Sequence, residues 1–422
     1  MCLIRNTFLG LMVVFSCCAW VCGFSSPAFA GNERVVAFVM KALNNPFWLK
    51  VDRAAREYAK ENDIQLELFG VEREADASSQ IDIIENLISR DYGAIIIAPN
   101  DSKQLVPITK KALAHGTKVV IVDNALDAEH LGSEGAAIPF IGSDNFAGAK
   151  MLGEYMRTRL GGNGRVIIIE GMPGVSNSDK RKHGFMEGLG KGSGIEIVGI
   201  GRGNWHMDEA FSATVRLLEN DNNIDAVFCT NDVMAMGAIQ ALEMYNLAGK
   251  VLVAGYDNID LAKIAMQTGY MHATVDQHAE FMGRYSVEIA LKAMNNRETD
   301  QVRHIPLELV TVEHVGKRIF ISLPEEESDK GNIFLRDLRK QADILGMEVI
   351  FYPGMSTTEG GNLQELEKRL HGVDLLLTAL EDDPMKELAL ERNVPVVKID
   401  YAGTGDAGKV AAKAAAIYFR KP

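Results

Sequence analysis

From Arg34 onward, short runs of β-branched and aliphatic residues alternate with amphipathic stretches of helical length, and no other feature restricts the fold as much. Strands separated by helices pair in parallel, and a mostly parallel sheet needs helices on both faces. The first strand candidates are Val35 to Met40, Gln65 to Phe69, Ala94 to Ala98, Lys118 to Val122 and Pro139 to Ile141. A second series runs Arg165 to Glu170, Ile195 to Gly199, Ala226 to Thr230, Val251 to Tyr256 and His272 to Val275, with helices such as Asp208 to Glu219 and Met234 to Tyr245 between. Two series imply two sheets, so the expectation is an α/β chain with two lobes. The 422 residues leave room for a third unit at roughly 150 residues per domain.

The first 30 residues differ in kind. Arg5 is their only charge, Thr7 to Phe24 is nearly all apolar, and Ser25-Ser26-Pro27-Ala28-Phe29-Ala30 places small residues where a signal peptidase cuts. The expectation is a secretory signal peptide over residues 1–30 and a mature chain from about Gly31, hence an exported protein. A retained membrane anchor is the alternative, because the apolar run is close to the roughly 20 residues of a spanning helix. Lipidation at Cys17 fits less well, because Val14-Phe15-Ser16 precedes it and the bulky Phe15 suits a lipidation box poorly. Four of the five cysteines lie in this leader, and Cys229 alone in the mature chain rules out an intramolecular disulfide there. The formal charge of −13, with no basic patch, argues against a nucleic-acid partner.

Ligands of open α/β sheets sit beyond the C-terminal ends of the strands. The residues at those ends are Asn44-Asn45-Pro46-Phe47-Trp48, Asp123-Asn124, Asn231-Asp232 and Asp257-Asn258. Asp and Asn there also serve as helix caps and turn formers, and a tryptophan is often simply core. Gathered in one cleft, carboxylates, amides and the tryptophans Trp48 and Trp205 suit a neutral polyhydroxylated ligand. Carboxylates and amides take hydroxyls, and aromatic faces stack on the C–H side of a sugar ring.

Several motifs then occur in order: Leu43-Asn44-Asn45-Pro46-Phe47-Trp48, Gly142-Ser143-Asp144-Asn145, Thr230-Asn231-Asp232-Val233-Met234-Ala235-Met236-Gly237-Ala238, Gly255-Tyr256-Asp257 and Ala273-Thr274-Val275-Asp276-Gln277. With them the chain resembles the ribose- and galactose-type periplasmic sugar-binding proteins of bacterial ABC transporters, from about Arg34 to Val315. The resemblance implies a two-lobed type I periplasmic binding protein fold with a hinge. Its N-lobe would hold about residues 32–143 and 278–306 and its C-lobe about 144–277 and 307–316. It further implies that Asn45, Asp123, Arg181, Asn231, Asp257 and Gln277 hydrogen-bond the sugar while Phe47, Trp48 and Trp205 sandwich its ring. Arg181 lies in a run, Asp179 to His183, that reads equally as a solvated basic face. Asn124 replaces an arginine of the ribose-type members, and Trp48 and Trp205 replace phenylalanines; Trp205 is the galactose-type choice. The sugar class follows more firmly than the sugar.

The partners implied are a small-molecule sugar and a membrane ABC permease, with a chemoreceptor or sensor kinase as the sensory alternative. No cofactor or metal is expected: the histidines lack ligand spacing and no Asp-rich calcium loop is present. An exported glycoside-processing enzyme using Asp123, Asp257 and Glu170 is the alternative from another class. A DNA-binding regulator with the same core would need a helix-turn-helix where the leader stands.

Residues 317–422 lie beyond the family pattern. Strands Arg318 to Leu323, Glu348 to Tyr352, Asp374 to Thr378 and Val394 to Asp400 alternate with helices Ile333 to Leu345, Leu363 to Leu370 and Pro384 to Arg392, and Ala407 to Tyr418 echoes the first crossover helix. This order reads as a half-repeat of the first lobe, an accessory α/β domain without an opposing jaw. A response-regulator-like domain would need an aspartate at the end of its third strand, where Thr378-Ala379-Leu380 stands before Glu381.

Overall fold

The computed structural model describes residues 35–323 except 75, 91, 133–137 and 174, and then residues 329–353, 373–378, 389 and 394–398. The leader, the helices expected over Leu363 to Leu370, Pro384 to Arg392 and Ala407 to Tyr418, and the Ala379 to Glu381 segment lie outside the described residues, or nearly so.

In chain order the first half-sheet is β1 (Val35–Met40), α1 (Pro46–Glu61), β2 (Gln65–Gly70), α2 (Ala77–Ile88), β3 (Ala94–Ile97), α3 (Val106–Ala114), β4 (Lys118–Val122), α4 (Ala128–Leu131) and β5 (Phe140–Ser143). The chain then crosses into α5 (Asn145–Arg159), β6 (Asn163–Glu170), α6 (Ser176–Leu189), β7 (Gly194–Arg202), α7 (Met207–Asn220), β8 (Ala226–Cys229), α8 (Asp232–Met244), β9 (Leu252–Ala254), α9 (Asp260–Gln267) and β10 (Ala273–Asp276). It returns through α10 (Ala279–Met294) and β11 (Val302–Ile305), then crosses once more to β12 (Glu308–Thr311). A third unit contains β13 (Arg318–Leu323), α11 (Asp329–Ile344), β14 (Glu348–Pro353), β15 (Leu375–Thr378) and β16 (Val396–Lys398).

Two six-stranded sheets result, ordered β11-β5-β4-β3-β1-β2 and β12-β10-β9-β8-β6-β7. Every pairing is parallel except β10 with β12. Burial explains why the central strands read so clearly in sequence. β1, β3, β8 and β10 are buried at every position, so both faces must be apolar or paired, whereas the edge strand β7 is half solvated. The four-residue strands β11 and β12 are not among the strand candidates of the sequence, and β9 ends at Ala254, short of Tyr256.

One apolar cluster lies under α2 and α3, and another, including the stacked pair Phe185 and Phe228 (centroids 4.1 Å apart), lies under α5 and α6. The largest cluster joins α1 and α10 to α8 and α9 and continues into Ile319, Phe334, Leu338 and Leu345 of the third unit. Each fully buried aliphatic or aromatic side chain there contributes about 1.5–3 kcal/mol.

The third sheet is ordered β14-β13-β15-β16 and wholly parallel, the order of β2, β1, β3 and β4 in the first sheet. Among the described residues no helix is long and apolar enough to cross a membrane.

Candidate functional site

The strands of both six-stranded sheets end facing one another, and twelve side chains delivered by their exits line a single cavity. Lys41 follows β1, Asn45, Phe47 and Trp48 open α1, Glu74 precedes α2, and Asp123 follows β4. From the other side come Asn177 and Arg181 on α6, Trp205 before α7, Asn231 after β8, Asp257 after β9, and Gln277 beyond β10. The space between them is about 20 Å³, room for little more than one water molecule, so the two jaws lie nearly in contact and a larger guest enters only as they part.

Three of these residues hold left-handed backbones: Asp123 (φ 65°), Trp205 (φ 70°) and Asp257 (φ 114°). Such conformations cost about 1–3 kcal/mol each for residues other than glycine, and a bulky tryptophan rarely accepts one. At Asp123 and Asp257 the turn aims a carboxylate back across the strand end. At Trp205 it lays the indole against Gly171, whose absent side chain makes the room: a Cβ there would stand 2.4 Å from the ring.

The charges are matched in pairs. Lys41 Nζ lies 2.6 Å from Asp123 Oδ2, both almost wholly buried, and Asn177 Nδ2 donates to both oxygens of Asp123 at 3.0 and 3.1 Å. Arg181 donates from Nε to Asn145 Oδ1 at 2.6 Å and from a terminal nitrogen to Thr230 O at 2.9 Å, and that same nitrogen lies 3.4 Å from Asp257 Oδ1. Its guanidinium also sits 3.9 Å above the ring of Tyr256. Gln277 Nε2 donates to Asp257 Oδ1 at 2.7 Å, while its own Oε1 has no partner. Burial pushes the Asp257 carboxyl well above its ordinary value, partly offset by Arg181. Burial raises Glu74 too, against the pull of Lys41 and the hydrogen bond from Asn45. With cations and carboxylates so paired, the cavity presents polarity without a large excess of either charge, which suits an uncharged guest.

Asn45 and Asn231 do two things at once. Each Oδ1 caps a helix, accepting from Phe47 N at 3.0 Å and Met234 N at 2.8 Å respectively, and each residue also lines the cavity. Cap and site are therefore compatible at these positions. The rings of Phe47 and Trp48 meet edge to face, with centroids 5.2 Å apart and planes at 80°. They form a corner opposite Trp205 rather than one flat wall, which modifies the expected sandwich.

Asn124 requires a correction. It is fully buried but turned into the first lobe, where Nδ2 donates to Pro99 O at 3.0 Å and Ser102 Oγ at 3.1 Å, and it does not line the cavity. The left-handed turn at Asp123 sends the two neighbours to opposite sides. Glu170 is outside the cavity as well, bonded by Lys182 at 2.7 Å.

Three lining residues escaped the sequence reading. Lys41 sits at a strand exit but resembles a solvated lysine, and Glu74 comes from a polar loop without periodicity. Asn177 had a signal, since it lies four residues before Arg181 and so on the same helix face. Across the cleft mouth, Lys50 Nζ donates to Asn258 O at 2.9 Å and lies 3.3 Å from Asp260, and Arg73 pairs with Glu209, so the two lobes are shut on each other.

Two α/β lobes joined by three crossovers and closed over a polar cavity define a solute-binding protein. The chain belongs to the periplasmic binding protein domain family, which matches residues 36–298. The D-ribose/D-allose-binding protein of Pseudomonas aeruginosa is 36% identical over 309 residues, 72% of this chain and 97% of that relative. The D-allose-binding periplasmic protein of Escherichia coli is 32% identical, over 68% of this chain and 89% of its own length. Among solved structures, the periplasmic solute-binding protein of an ABC transporter from Actinobacillus succinogenes, with bound D-allose, aligns with a TM-score of 0.63 and 35% identity, covering 66% of this chain and 98% of its own. These relatives are binding proteins and not enzymes.

Proposed function

We propose that the protein captures a monosaccharide of the D-ribose/D-allose class between its lobes and presents it to an ABC permease in the periplasm. One observation carries this reading: two charge-paired carboxylates, Asp123 and Asp257, line one cavity with the three aromatic rings of Phe47, Trp48 and Trp205, where the strand ends of the two lobes meet. Asp123 and Asp257 would accept hydroxyl protons, Arg181 and Lys41 would donate to hydroxyl oxygens, and Gln277 Oε1 would accept one more bond. Charge-assisted bonds of this kind are the stronger ones. Trp205 on one side and the Phe47–Trp48 corner on the other would cover the apolar edges of the ring.

Closure supplies the signal. A guest that contacts both lobes favours the shut form over the open one, and the shut form carries a surface that no single lobe has. The leader over residues 1–30 would direct export, and residues 317–422 would form an accessory domain built on the strand order of the first lobe.

Titration calorimetry with D-allose and D-ribose tests the reading. Trp205→Ala and Asp257→Ala should each weaken binding by about 1.5 kcal/mol or more, tenfold in affinity. Absence of saturable binding by either sugar, or unchanged affinity in both variants, overturns it.

A further inference from the structure

More than a linker attaches the third unit to the lobes. The end of α11 is bonded to the C-lobe: Asn258 Nδ2 donates to Ile344 O at 2.7 Å in a buried contact, and Lys263 Nζ donates to Asp343 O at 2.8 Å. Asn258 directly follows the cavity residue Asp257. The same amide nitrogen reaches Asp276 Oδ2 at 2.8 Å, and Asp276 precedes Gln277. One turn earlier on α11, Lys340 Nζ stands 4.3 Å from the centroid of the Phe281 ring. Phe281 belongs to α10, which packs on α1, β3 and β4 of the N-lobe. A single helix thus grips both sides of the crossover at His278.

We propose that α11 is a clamp on lobe closure, fixed to the C-lobe through Ile344 and Asp343 and holding the N-lobe through Lys340. Because the Asn258–Ile344 contact is buried and α11 shares an apolar cluster with α8 and α9, the helix moves with the C-lobe, and any rotation about the crossovers changes the Lys340–Phe281 contact. Only a contact that differs between two states can shift their balance, and this one is made in the shut form. The neighbouring charge fits. Burial alone would raise the Glu280 carboxyl, but His278, whose Nδ1 lies 3.7 Å from Glu280 Oε1, and the charge of Lys340 bring it below its ordinary value. Lys340 thus meets a π surface on α10, and Glu280 is the residue next to that ring on the same helix.

The affinity arm of the test rests on the sugar-binding reading; the distance arm does not. In the chain from Gly31, spin labels at Asp82→Cys on α2 and Glu219→Cys on α7, both exposed, report lobe separation, and the one other cysteine there, Cys229, is buried. Lys340→Glu should move the sugar-free distance distribution toward the open separation. Lys340→Ala should weaken D-allose binding about twofold to fivefold, the range of an exposed cation–π contact of roughly 0.5–1 kcal/mol. Lys340→Arg should restore the wild-type values. An unchanged distance distribution in Lys340→Glu, or a shift toward the shut form, overturns the clamp. If neither D-allose nor D-ribose binds the wild type, the sugar reading falls, and the distances still decide the clamp.

Discussion

Replacing Gly171 by alanine probes Trp205 without touching it. The added Cβ would lie 2.4–2.5 Å from three carbons of the indole, where ordinary contact begins at 3.4 Å, so the ring must retreat by about 1 Å. Its free side is the cavity, so relief of the clash takes space from the guest. Overpacking a filled site costs about 1–3 kcal/mol. Here most of that cost should fall on binding, which corresponds to roughly a fivefold to hundredfold loss of affinity at 1.4 kcal/mol per factor of ten. Titration calorimetry with D-allose measures the affinity, and a melting curve measures the fold. In a Trp205→Leu background the same substitution should do little more, because the pair then shares no clash. Affinity within twofold of wild type at an unchanged melting temperature would show that the indole is no wall of the binding site. A large fall in melting temperature with intact affinity would show that the strain stays in the fold.

Lys41→Met leaves Asp123 buried beside Asn177 without its cation, and breaking a buried pair costs about 3–5 kcal/mol; denaturant melts should show a loss of that order, recovered in part by adding Asp123→Asn. His272 gives a pH signature. Burial, with a smaller effect of Arg159, lowers it to about 4, and its Nδ1 accepts a hydrogen bond from Val253 N at 3.1 Å. The folded state thus binds fewer protons than the unfolded one between about pH 4 and the ordinary histidine value near 6.5, so this residue's stability contribution is complete above that window and lost as pH falls through it. The loss is at most about 3 kcal/mol and smaller after screening at its exposed edge; the stability difference between wild type and His272→Asn, followed from pH 7 to pH 4, should shrink, and a constant difference refutes the assignment.

The parts of the fold legible in the sequence were those where burial forces composition. β1, β3 and β8 are apolar because both of their faces are covered, so no other reading of those runs was open. β11 has the sequence Val302-Arg303-His304-Ile305, largely open to solvent on a sheet edge, and four such residues look the same whether paired or not. In the site, the aspartates stood out because the strand-exit rule depends only on topology. The pair Asp123-Asn124 shows where the rule stops. Both follow β4, and only the backbone turn at Asp123 decides which of them faces the cleft, a quantity that residue type does not encode. Glu74 was invisible for the opposite reason: its loop has no period, and its partner Asn45 lies 29 residues away.

Neither of the first two sheets is built from one continuous piece of chain. The first is begun by β1 and finished by β11, after the whole of α5 to β10 has been made, and the helix that covers β3, β4 and α1 arrives only with residues 279–294. During synthesis the apolar inner faces of Val36, Phe38 and Ile96 thus have only α1 to cover them until the chain beyond the second crossover is made, and contacts between such distant segments form slowly. A nascent polypeptide of this design is kept loose for most of its translation, the condition in which a chain can still be threaded through a narrow pore.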